Sequence, residues 1–188
     1  MQFFLLNKKM KTVKIKDKEF QLSITNDEIQ TAIQRIANKI NEELHDESPI
    51  FLGVLNGCFM FMSDLLKKIE IPCEVSFIKL SSYAGTSTTG SVKQILGLNN
   101  SIEGRTIVIL EDIVDTGITM EHLLKSLEEY KPKCIKIATC LQKPDALQRD
   151  IKTDYVAINI PNEFIVGYGL DYDGFGRNLN EIYTIIKK

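Results

Sequence analysis

Ile29, Ile33, Ile36, Ile40 and Leu44 recur every three or four residues, the spacing that lays one apolar stripe along an α-helix. Thr25-Asn-Asp-Glu28, just upstream, has the form of a capping box, so the helix is predicted to open there. Pro49 stands beyond it, and Ile50-Phe-Leu-Gly-Val-Leu55 is a continuous apolar run of strand length. Gly57 marks a turn, and Phe59 to Ile69 reads as a second helix. The alternation then repeats. Val75 to Leu80 predicts a strand, residues 81–93 are polar, and Gly104 turns the chain into the apolar strand Thr106 to Leu110. A helix follows from about Thr119 to Glu129, then a strand from Cys134 to Leu141. Val13 to Leu22 reads as a hairpin, and short strands are expected at Tyr155 to Ile160, Phe164 to Val166 and Ile182 to Ile186. Nearly all-apolar strands alternating with helices predict an α/β fold whose parallel sheet is covered on both faces. In such sheets ligands bind beyond the carboxyl ends of the strands.

Composition narrows the function classes. The chain has 188 residues, 44% apolar and 26% charged, with a net charge of -2. That suits one domain and gives no basic face for a nucleic acid. The start has four consecutive apolar residues, Phe3 to Leu6, too few for a signal-peptide core or a membrane span. Residues 1–9 are therefore expected to be a loose extension of a single domain over 10–188, with a cytoplasmic location and no membrane partner. Cys58, Cys73, Cys134 and Cys140 form no C-x-x-C pair, and His45 and His122 stand far apart. A zinc site is not expected, and the thiols read as reduced, packed side chains.

The candidate chemistry concentrates after the strand at Thr106. Glu111 and Asp112 stand at its end, Asp115 follows, and Thr116-Gly-Ile-Thr119 opens the next helix. Small and hydroxyl residues at a helix start suit a phosphate, while carboxylates suit sugar hydroxyls or a divalent cation. One loop thus offers opposite chemistry to the two ends of a phosphorylated sugar. Helix capping by Asp115 and Thr116 alone leaves the two upstream acids unexplained. No G-x-G-x-x-G or P-loop is present, which disfavours a dinucleotide or nucleoside-triphosphate enzyme.

The segment Glu111-Asp-Ile-Val-Asp-Thr-Gly117 resembles the 5-phosphoribosyl-1-pyrophosphate (PRPP) motif of type I phosphoribosyltransferases. Further segments resemble the hypoxanthine–guanine branch, over a span from about Val13 to the end. The resemblance implies a central, mostly parallel twisted sheet flanked by helices, with a small hood formed by the terminal segments. It also implies PRPP and a 6-oxopurine as substrates, Mg2+ as cofactor, and a homodimer or homotetramer. Glu111, Asp112, Asp115, Thr116, Gly117, Ile118 and Thr119 would hold the ribose and 5′-phosphate, with Asp115 as general base.

Val54-Leu-Asn-Gly-Cys58 is similar to the pyrophosphate loop, assigning Asn56 and Gly57 to that group together with Lys79 and Arg177. Taken alone, this segment also admits the plainer reading of a strand-to-helix turn. Ser82 and Tyr83 resemble the start of a loop that closes over the site. Lys143, which as a lone lysine would be solvated, would donate to the purine 6-oxo group. Phe164 would stack on the base and Ile165 would read its edge through the backbone, although Phe164 and Tyr168 read equally as core aromatics. Asp171 would join Glu111 and Asp112 around the metal. Asn56 and Ile118 stand where relatives often carry basic residues. Leu147 and Arg149 receive no role.

Overall fold

The computed structural model describes residues 11–80 and 101–187. The 1–9 extension lies outside the described residues. Thr25 opens α1 (Asn26–Glu43) with a full capping box: its side chain accepts from the Glu28 N–H, and the Glu28 carboxylate accepts from the Thr25 N–H at 2.8 Å. The stripe read from the sequence is the buried one, with Ile29, Ile33, Ile36 and Ile40 turned into the core. The second helix, α2 (Phe59–Leu66), stops three residues short of the predicted end. There the bonding tightens, as Lys68 N–H donates to Leu65 O and Ile69 N–H to Leu66 O. The third, α3, spans Ile118–Glu128.

Nine strands are found among the described residues: β1 (Thr12–Ile15), β2 (Lys18–Ile24), β3 (Ile50–Leu55), β4 (Glu74–Lys79), β5 (Thr106–Val114), β6 (Cys134–Gln142), β7 (Tyr155–Asn159), β8 (Ile165–Val166) and β9 (Ile182–Ile185). Five of them form a parallel sheet in the order β4-β3-β5-β6-β7. Side chains alternate across it. Phe51, Val108, Leu110, Ala138 and Cys140 pack under α1 and α2. Ile50, Leu52, Val54, Ile107, Ile109 and Ile137 pack with Met120, Leu123 and Leu127 of α3. The terminal segments form an antiparallel hood in the order β1-β2-β9-β8, with its own core of Ile15, Phe20, Val166 and Tyr183. Among the described residues no helix is long and apolar enough to cross a membrane.

One difference matters for the site. The sequence pattern ends the fifth strand at Leu110, but β5 runs on to Val114. Ladder pairing with β6 continues through Glu111 opposite Thr139, Ile113 opposite Leu141 and Val114 opposite Gln142. Backbone pairing overrides the charge of the two side chains. Glu111 and Asp112 are therefore strand residues, anchored rather than free in a loop.

Candidate active site

Placement in the strand sets the electrostatics of the two acids. Glu111 as a residue is half-buried, but its Oε2 is sealed from solvent and has no hydrogen-bond partner. Burial, and then the neighbouring Asp112, push its carboxyl well above the usual value of 4.5. Burial also raises Asp112, against the Ile113 N–H that donates to its Oδ1 at 2.8 Å. A buried acceptor without a partner is uncommon and suits an incoming hydroxyl or cation.

Beyond β5, Gly117 takes a left-handed backbone (φ 79°) and leads into α3, a conformation that glycine enters without steric penalty. Thr116 Oγ1 accepts from the Ile118 N–H at 3.4 Å. The first turn of a helix leaves N–H groups without intrahelical acceptors. A cavity of about 250 Å³ lies against this turn, lined by Leu80, Glu111, Asp115, Thr116, Gly117 and Thr119 among others.

Parallel pairing brings the tip of β6 to the tip of β5, where the Lys143 N–H donates to Val114 O at 3.0 Å. Lys143 Nζ then donates to Asp115 Oδ2 at 2.8 Å. The lysine side chain is 9% exposed and that of the aspartate 44%. A lysine read as solvated by default is thus the one charged residue buried among the described residues, and its carboxylate partner lines the open cavity.

A second cluster forms where three chain segments touch. A Cβ on Gly57 would lie 1.5 Å from Asp112 Oδ2, and one on Gly169 would lie 2.0 Å from the Gly57 carbonyl oxygen. Only glycine permits either approach. Gly169 O accepts from Arg177 Nη1 at 2.8 Å, while Arg177 Nη2 pairs with Asp171 Oδ1 at 2.6 Å. Asp171 Oδ2 also accepts from the Gly174 N–H. Asn56 is exposed on the adjoining turn after a cis Leu55–Asn56 peptide, and Lys79 lies opposite Leu55 across the β3–β4 ladder.

The hood supplies the aromatic. Phe164 is 44% exposed, edge-on to Tyr172 with centroids 5.9 Å apart and tilted against Phe20. Tyr168, by contrast, is a core aromatic. Ile165 is buried in β8 and Ile118 half-buried in α3. Ser82 and Tyr83 lie outside the described residues. Among those that are described, no three acidic, histidine or cysteine side chains converge enough to hold a metal by themselves. Magnesium needs only one or two carboxylates, with water and substrate phosphates completing its shell. The pair Glu111 and Asp112 fits that requirement.

Residues 23–173 match the model of the phosphoribosyl transferase domain. The chain belongs to the phosphoribosyltransferase family. The chain is 43% identical over 157 residues to the hypoxanthine-guanine phosphoribosyltransferase of Bacillus subtilis (strain 168), covering 83% of this chain and 87% of that one. It is 42% identical to the bifunctional protein TilS/HprT of Listeria monocytogenes serotype 4b (strain F2365), of which it spans 24%. A crystal structure of hypoxanthine phosphoribosyltransferase from Staphylococcus aureus is 37% identical and superposes with a TM-score of 0.83, covering 88% of this chain and 90% of that chain.

Two features of the site are not legible in the sequence: the Gly169–Gly57 approach and the anchoring of Tyr168. The Gly167-Tyr-Gly169 triplet was the available signal. The acid pair also yields a pH prediction. Glu111 keeps its proton to higher pH in the folded chain than in the unfolded one. From 4.5 up to that raised value the folded state binds more protons, so stability falls as pH rises. Glu111→Gln is expected to melt above the parent at about pH 8, with the difference vanishing towards about pH 4. Thermal unfolding across pH checks this, and a pH-independent difference would contradict it.

Proposed function

We propose that this chain is a purine-salvage enzyme that transfers the 5-phosphoribosyl group of PRPP to hypoxanthine and guanine, giving IMP or GMP and pyrophosphate. The Lys143–Asp115 contact at 2.8 Å carries the reading. A 6-oxopurine presents O6 and N7 side by side on one edge. A cationic donor and a carboxylate acceptor side by side match that edge. Lys143 donates to O6, and Asp115 accepts the proton of N7 as N9 attacks the anomeric carbon. Adenine offers a donor where Lys143 also donates, so it is excluded. Phe164 stacks on the ring, and the Ile165 backbone meets the far edge.

The remaining roles follow the charge of PRPP. Glu111 and Asp112 take the ribose hydroxyls. Thr116, Gly117, Ile118 and Thr119 surround the 5′-phosphate, with Ile118 acting through its backbone. Asn56, Gly57, Lys79 and Arg177 receive the pyrophosphate, and Ser82 and Tyr83 begin the covering loop. Asp171, Glu111 and Asp112 would hold Mg2+. When bound, this ion stabilises the negative charge of the departing pyrophosphate. The reading extends to a homodimer or homotetramer working in the cytoplasm, with no nucleic-acid or membrane partner.

A panel of free bases supplied with PRPP and magnesium tests this. Hypoxanthine and guanine should be converted at least about a hundredfold faster than adenine, the order of discrimination expected when a buried donor is left facing a donor. Conversion of adenine alone would reject the assignment.

A further inference from the structure

We infer that Asp64 and Tyr168 form a strut that sets the spacing of the two pyrophosphate-facing loops, making them positioning residues remote from the substrate. The inference rests on the reading of the Gly57 and Arg177 loops as the pyrophosphate site. Asp64 lies on α2, the helix that opens two residues after Gly57. Its Oδ2 accepts from the Tyr168 hydroxyl and from Gln30 Nε2, both at 2.6 Å, and its Oδ1 pairs with Lys67 at 3.0 Å. Tyr168 is 2% exposed and has a positive φ of 48°, between Gly167 and Gly169 at 99° each. A tyrosine in that backbone region is costly and persists only where its surroundings hold it.

The surroundings do so at both ends. The ring is buried and its hydroxyl is bonded to α2, while the Tyr168 N–H donates to Leu179 O at 2.8 Å. The next residue, Gly169, abuts the Gly57 carbonyl and accepts from Arg177. The Asp64–Tyr168 bond therefore closes a loop of contacts running through α2, Gly57, Gly169 and back to the tyrosine. Burial would raise the Asp64 carboxyl, yet its three donors hold it below its usual value, so it remains a charged acceptor. Hydrogen bonds to charged groups are the stronger kind. The α3 loop, at the other end of the proposed PRPP site, takes no part in this circuit.

The test compares two ligands by calorimetry on the whole chain: pyrophosphate with magnesium, and ribose 5-phosphate. Tyr168→Phe removes one hydroxyl and keeps the ring. It should weaken pyrophosphate binding roughly tenfold, as expected for loss of a bond to a charged group, and leave ribose 5-phosphate within about twofold. Asp64→Ala should do the same, whereas Asp64→Asn, which keeps a carbonyl acceptor for the tyrosine, should recover most of the loss. Equal weakening of both ligands would show general loosening and overturn the strut, as would unchanged pyrophosphate affinity beside a lowered melting temperature. Neither measurement needs turnover. Failure of the wild-type chain to convert any base would reject the transferase reading without touching this result.

Discussion

Asp115→Asn is expected to lower turnover by about two to four orders of magnitude, the range for removal of a positioned general base. Asp115 follows the last residue of β5, its carboxylate is partly open to the site, and Lys143 fixes one of its oxygens. Asparagine keeps the shape and an oxygen acceptor for the lysine but cannot take up the purine proton. Stability should change little, because a side chain this exposed contributes modestly to the fold. Steady-state rates at saturating PRPP and hypoxanthine, with thermal unfolding of the same preparations, check both halves. Near-normal turnover would remove Asp115 from the role of base. A collapse of the melting temperature would make the loss of rate a folding effect.

Gly169→Ala carries the largest structural effect. The added methyl would sit 2.0 Å from the backbone oxygen of Gly57, at a φ of 99°. Backbone cannot swing aside as a side-chain tip can. Strain of this kind, together with overpacking, amounts to about 2–5 kcal/mol. In a chain of this size that corresponds to a fall in melting temperature of roughly 5–15 °C. The displaced loop also carries the carbonyl that Arg177 grips, so affinity for magnesium pyrophosphate should fall with stability. Calorimetry and thermal unfolding of the variant measure the two effects. Wild-type values for both would mean that the Gly57–Gly169 contact is not needed.

The residue pattern revealed the scaffold well because the scaffold rests on periodic burial. The α1 stripe, the apolar run of β3 and the two-sided β5 each follow from spacing alone. The reading stopped short at Glu111, since charge was taken as the end of the strand. Pairing with Thr139 and Leu141 on β6 is a long-range fact that no local window contains. Lys143 illustrates the same limit from the other side. Its burial depends on meeting Asp115, 28 residues away in sequence, so composition alone suggested a solvated lysine. Phe164 and Tyr168 could not be told apart by spacing. The hood exposes the first, while the second reaches across to Asp64 on α2. The closeness of Gly57, Asp112 and Gly169 is likewise a property of three segments converging, to which each contributes only a glycine or an acid.

The proposed site joins a PRPP-binding strand tip to a 6-oxopurine-binding lysine. Its most direct measurement follows both products with hypoxanthine, PRPP and magnesium, using nucleotide separation alongside pyrophosphate detection. IMP and pyrophosphate are expected in equal amounts, with no pyrophosphate release when the base is omitted. Release of pyrophosphate at the same rate without a base, or absence of IMP while PRPP still binds, would contradict it.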